Sequence, residues 1–207
     1  MALVSDSNYW HNIWQKFREG DKEAFAIFYN RHIDRVYSYG LKLCNDENLV
    51  KDAIQEVFLD LYLKRETNKT NPENLRYYLF LAVKRALIKH MKSGRLFDRN
   101  EISDGKVPEF EFGAEYELIE EEKTTERRKL VTKAIDQLPS KQKEAVYLRF
   151  NEGMEYKQIA NILNINIESV RKQIYRALKT IKNRIDNHSF IILIYFIQKK
   201  LKKSVHI

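Results

Sequence analysis

The stretch from Glu155 to Lys179, "EYKQIANILNINIESVRKQIYRALK", carries two amphipathic helical patterns with only three residues between them. Ile159, Ala160 and Leu163 give the first pattern one apolar side. Val170, Ile174, Ala177, Ile181 and Ile185 give the second an apolar stripe, with Leu178 at its margin. Small Ala160 lets the helices cross closely. Asn164 tolerates the left-handed backbone of a tight helix exit, and Ile165 and Ile167 are expected to plug the turn. Six Lys or Arg lie among the nineteen residues from Ile167 to Ile185. Lys172, Tyr175, Arg176 and Lys179 project opposite the stripe. Either this is a solvated face that happens to be basic, or it is a face that meets a polyanion. A helix of this kind behind a short turn fits the major groove, where Arg and Lys can bond guanine edges and phosphates.

The rest of the chain is compatible with such a unit. Only three prolines and six glycines occur in 207 residues, and apolar residues recur at helical spacing, so the predicted class is all-α. Four helices are expected at about 9–18, 22–43, 48–64 and 73–92. Asp21 is placed to cap the second, the Asn45-Asp46 pair marks a turn, and Pro72 suits the first turn of the fourth. Between Asp98 and Glu126 eleven acidic residues face three basic ones, which reads as an acidic linker. From Lys129 onward sixteen basic residues outnumber six acidic ones. Two small helical domains are therefore expected, 8–95 and 127–186, joined by the linker 96–126. In the second, Val131, Ile135 and Leu138 form one stripe, and Pro139 breaks it. Ser140 is placed to cap the next helix, Ala145, Leu148 and Phe150 continue the core, and Asn151-Glu152-Gly153 turns the chain.

Several function classes are disfavoured. The net charge of +8 favours nucleic acid or an anionic membrane surface as partner. The single cysteine, Cys44, excludes an intramolecular disulfide and reads as a buried thiol. His11, His32, His90, His188 and His206 are scattered without ligand spacing, so no metal or other cofactor is expected. No phosphate-cradling glycine loop or nucleophile elbow appears, and no enzyme is expected. The N-terminus lacks the pattern of a signal peptide, and no stretch has the roughly 20 apolar residues of a membrane span. The expected address is the cytoplasm. "FIILIYFIQKKLKK", Phe190–Lys203, lies in an extension, 187–207, read as a packed helix, with membrane-surface or partner binding as the alternative.

"LPSKQKEAVYLRFNEGMEYKQIANILNINIESVRKQIYRALKTI" resembles region 4 of sigma factors of the extracytoplasmic-function type in the sigma-70 family. The likeness rests on Leu138-Pro139, Leu148-Arg149, Gly153, Tyr156, Ile159-Ala160, Leu163, Ser169-Val170-Arg171 and Arg176-Ala177. Glu155 departs from the usual Ser or Thr cap, a change expected to remove about 1 kcal/mol from the helix. Asn164 stands where Gly is common. "FREGDKEAFAIFYNRH" and "LVKDAIQEVFLDLY" are similar to the opening of region 2 and to region 2.2. "NLRYYLFLAVKRALIKHMKSGR" is similar to regions 2.3 and 2.4.

The resemblance implies a promoter-recognition subunit of RNA polymerase. Asp52, Gln55, Glu56 and Phe58 would dock on the β′ clamp helices, and the second domain would meet the β flap. Tyr77, Tyr78 and Phe80 would offer rings, and Lys84, Arg85, Lys89 and Lys92 charge, to the opened −10 strand, since single-strand binding pairs aromatic surfaces with positive charge; core packing is the alternative for each ring. Lys84 stands where the family often has Asn, and a Lys can donate but not accept, so the resemblance does not fix the base preference at −10. Ser169, Arg171, Lys172, Tyr175, Arg176 and Lys179 would contact the −35 duplex. The linker would thread toward the polymerase active site or act as a plain tether. An anti-sigma partner is implied for many relatives, and no small-molecule substrate. Two rivals remain: a stand-alone dimeric helix-turn-helix regulator, and an adaptor whose basic helix meets an acidic protein.

Overall fold

The computed structural model describes residues 3–67, 74–97 and 130–185. Pro72, the acidic segment 98–126 and the extension from Phe190 to Lys203 lie outside the described residues. Every regular element among the described residues is a helix. The chain divides into two compact units, Met1–Glu109 and Phe110–Ile207.

The first unit holds α1 (Leu3–Arg18), α2 (Lys22–Leu43), α3 (Glu47–Leu63) and α4 (Leu75–Phe97). The first helix starts six residues earlier than its apolar periodicity indicates. Asp21 caps α2, accepting from the Ala24 N–H at 3.0 Å. Asp46 caps α3, accepting from the N–H groups of Asn48 and Leu49. Both caps satisfy donors that a helix start leaves unpaired. Val50, Ala53, Ile54, Val57, Phe58 and Leu61 turn one side of α3 inward, and Leu75, Leu79, Phe80, Val83 and Leu87 do the same on α4. Each such side chain larger than alanine contributes about 1.5–3 kcal/mol of burial. Aromatic rings fill the α1/α2 side, where Trp14 and Phe28 meet edge to face at 5.3 Å. Gly40 of α2 permits close approach: a Cβ there would lie 2.6 Å from Val50 Cγ1 of α3. Cys44 is half-buried rather than sealed inside, because it is the C-cap of α2.

The second unit begins, among the described residues, with helix α5 (130–136). Next come α6 (Ser140–Val146), α7 (Tyr156–Leu163) and α8 (Ile167–Lys182). Ser140 is the first residue of α6, not its cap; Pro139 occupies that position and no side chain caps the start. The end of α6 widens into a π turn, Tyr147–Asn151, closed by Glu152 N–H donating to Tyr147 O at 3.1 Å. Tyr147, Leu148 and Phe150 are all buried within it. Gly153 then takes φ 66° and reverses the chain.

The turn between α7 and α8 follows the sequence closely. Asn164 is left-handed at φ 51°, ψ 49°, and Ile165 N–H donates back to Ala160 O at 3.0 Å. Asn166 caps α8, accepting from Ser169 N–H at 2.7 Å. Gln158 Oε1 accepts from the Glu155 N–H at 3.0 Å, so the start of α7 keeps a capping bond despite the missing Ser or Thr. Two packing expectations change. Ile162 is buried while Leu163 is only half-buried, and Ile167 is 39% exposed rather than plugging the turn. As the first residue of α8, Ile167 points off the end of the stripe.

Candidate functional site

The stripe of α8 is fully engaged. Val170, Ile174, Ala177 and Ile181 are buried on the side of α8 that packs on α6 and α7, and Ile185, expected as the end of the stripe, is buried three residues beyond the last residue of the helix. At about 100° per residue this forces the intervening positions outward. Arg171, Lys172, Arg176 and Lys179 are exposed, and Tyr175 is 67% exposed. Ser169 is half-buried in the first turn, its N–H held by Asn166. Four cations and a ring thus cover the outer surface of a 16-residue helix.

Two arginines converge at the start of that helix. Arg149 donates from Nη1 to Met154 O at 2.8 Å, and its guanidinium lies 4.9 Å from the centre of the Tyr156 ring. Arg171 lies 5.7 Å from the centre of the same ring and donates from Nη1 to Glu168 Oε1 at 2.7 Å. Tyr156 and Arg149 carried the family likeness in the sequence, but their joint contact with Arg171 needed the fold. Glu168 had no signal beyond its i, i+3 spacing to Arg171.

On α3 the outward side bears Asp52, Gln55 and Glu56, all exposed. Phe58 does not join them. It is 3% exposed and packs edge to face against Tyr29 at 4.8 Å, so it supports the helix from inside and offers no docking surface. Leu59 and Leu63 are the apolar groups that do face outward there, one and two turns beyond Glu56 and Gln55. Periodicity could have identified both, since each lies off the buried stripe.

On α4 the rings divide. Phe80 is fully buried against Tyr39, centroids 4.7 Å apart, whereas Tyr77 and Tyr78 are half-buried. Burial, then the nearby Asp60 carboxylate, pushes the Tyr78 phenol above its usual range. Lys84 is half-buried, and Arg85 and Lys89 are exposed. Lys89 Nζ donates to Glu56 Oε1 at 2.9 Å, and His90 Nε2 lies 2.6 Å from Glu56 Oε2. Those contacts, Lys89 first, hold the Glu56 carboxyl below its usual range. His32 is pushed down to about 4 by burial and by Arg31, Arg76 and Arg35, so it stays neutral at physiological pH. No metal-holding group of His, Cys, Asp or Glu occurs among the described residues. No helix among them is long and apolar enough to cross a membrane.

The comparisons agree with this arrangement. The family model described as Sigma-70 region 2 matches residues 28–96, and Sigma-70, region 4 matches residues 128–181. Together they span more than half of the chain. The ECF RNA polymerase sigma-E factor of Haemophilus influenzae is 26% identical over 175 residues, covering 83% of this chain and 92% of that protein. Its counterpart in Escherichia coli is 25% identical, covering 83% and 91%. Among solved structures, the sigma factor RpoE of Bartonella quintana, in complex with the anti-sigma factor NepR, has a TM-score of 0.52 at 18% identity. It covers 77% of this chain and 94% of that one, and its likeness is one of fold. A buried helix-turn-helix stripe backing a cationic outer surface, an α3 with a polar outward side, and both sigma-70 regions in order lead to one conclusion: this chain belongs to the sigma-70 family and is a sigma factor of the extracytoplasmic-function type.

Proposed function

We propose that residues 8–95 grip core polymerase and hold the opened −10 strand, while residues 127–186 read the −35 duplex. Asp52, Gln55 and Glu56 dock on the β′ clamp helices. Tyr77, Tyr78, Lys84, Arg85 and Lys89 hold the separated strand by stacking and charge. Ser169, Arg171, Lys172, Tyr175, Arg176 and Lys179 meet the major groove, and this domain also meets the β flap. The linker 96–126 spans the two. RNA synthesis stays with the core enzyme, and the chain itself catalyses nothing. It works where polymerase and promoters are, in the cytoplasm. A sigma factor of similar fold, solved in complex with an anti-sigma factor, supports an anti-sigma partner here. The extension 187–207 has no assigned role.

The observation that carries this reading is the outward array of Arg171, Lys172, Tyr175, Arg176 and Lys179 on a helix whose other side is buried. Phosphate contacts position such a helix and base-edge contacts give it selectivity. The test adds the purified chain to core polymerase and sequences transcripts from a fragmented genome. Transcripts starting downstream of shared −35 and −10 sequences are expected. Protection of palindromic half-sites without polymerase would instead identify a stand-alone regulator. No chain-dependent transcript in any mixture would favour an adaptor.

A further inference from the structure

The sequence-specific contribution of α8 has a feature that opposes its own charge. Glu168 is exposed in the first turn, the end of a helix that attracts anions. A carboxylate there is favourable to the helix but repels the DNA phosphates that the same end would otherwise draw in. It also holds Arg171: the 2.7 Å bond from Nη1 to Glu168 Oε1 uses one of five guanidinium donors. The Tyr156 ring flanks the same guanidinium at 5.7 Å, and the ring itself is steadied by Arg149. An arginine on a free stem loses rotamer freedom when it bonds a base. One already tied to a neighbouring acid and ring loses less, so it discriminates among bases more sharply.

We infer that Glu168 is a positioning residue for Arg171, raising the base selectivity of α8 while lowering its sequence-independent grip on DNA. The inference rests on the reading that α8 enters the −35 major groove. Its signature is a split that general damage to the helix would not produce. Loss of Glu168 weakens discrimination at one base pair and strengthens binding to unrelated duplex.

The experiment uses the full chain with core polymerase on a promoter library randomised across the −35 element, with binding to promoter-free duplex measured in parallel. Arg171→Ala should flatten the preference at one base pair, by about 5- to 150-fold if its contact is bidentate. Glu168→Ala and Glu168→Gln should each reduce preference at that same base pair by about 2- to 5-fold, the scale of an exposed ion pair. Both should bind promoter-free duplex more tightly. The double variant Glu168→Ala/Arg171→Ala should select bases as Arg171→Ala alone does. Unchanged preference in both Glu168 variants, beside a flattened one in Arg171→Ala, would overturn the positioning role and leave the −35 assignment standing. An effect of Glu168→Ala at a different base pair, persisting without Arg171, would overturn it too, by making Glu168 a direct reader. If Arg171→Ala changes no preference, the assignment of Arg171 to the −35 element falls, and the inference falls with it.

Discussion

Glu56 and Lys89, thirty-three residues apart, are joined by a 2.9 Å hydrogen bond across the outer surfaces of α3 and α4. On the proposed reading one meets the polymerase and the other promoter DNA. His90 meets the second oxygen of the same carboxylate. Both side chains of the Glu56–Lys89 pair are well exposed, so the bond adds well under 1 kcal/mol to stability. On the proposed reading, a Glu56 carboxylate docked on the clamp could not fully satisfy Lys89 at the same time.

Glu56→Ala is accordingly expected to weaken assembly with core polymerase about tenfold, the range of a single good interface contact. The melting temperature should move by no more than about 2–3 °C. Fluorescence anisotropy with labelled chain reads the first quantity and thermal unfolding the second. A large drop in melting temperature would mean that Glu56 is structural.

Arg176→Ala should lose about 1–3 kcal/mol at one −35 base pair if the arginine reads a base edge. Binding or transcription on single-base promoter variants measures this. Uniform weakening on every sequence, with a shallower salt dependence, would reassign Arg176 to phosphate.

His32 gives the N-terminal unit a pH dependence. Its folded value of about 4 lies below the usual 6.5, so on acidification the unfolded chain takes up the proton first. Stability therefore rises with pH across that window and falls as pH drops from about 6.5 to about 4, by up to about 3 kcal/mol. Below about 4 both states are protonated and this contribution stops changing. Denaturant unfolding at a series of pH values should reveal the slope, and His32→Gln should flatten it.

Gly40→Ala should destabilise the N-terminal unit by about 1–3 kcal/mol, because the new methyl group would press on Val50. Chemical unfolding of four proteins, with and without Val50→Ala, separates the clash from other effects. The cost of Gly40→Ala should shrink when Val50 is already alanine. An equal cost in both backgrounds would place the damage elsewhere.

Much was legible in the residues alone. The limits of α2, the cap at Asp21, the turn at Asn45-Asp46, the left-handed Asn164 and the stripe of α8 from Val170 to Ile181 all follow from local rules. Capping and backbone handedness depend on a residue and its near neighbours, and a helical period tells which side must be covered. Those properties are written within about one turn of chain.

Other features waited for the tertiary fold. The sequence placed Phe58 beside Asp52, Gln55 and Glu56, yet packing against Tyr29 draws it inside, and Leu59 and Leu63 take the outer positions. Nothing local foretold the π turn at Tyr147–Asn151, the approach of two arginines to the ring of Tyr156, or the bond from Glu56 to Lys89. By itself the sequence determined the helical class and most of the oily sides, while the start of α1, the end of α4 and the inward turn of Ile162 departed from the local reading. Only the fold decided which side chains meet, because the crossing and register of packed helices set distances that no periodicity along one helix contains.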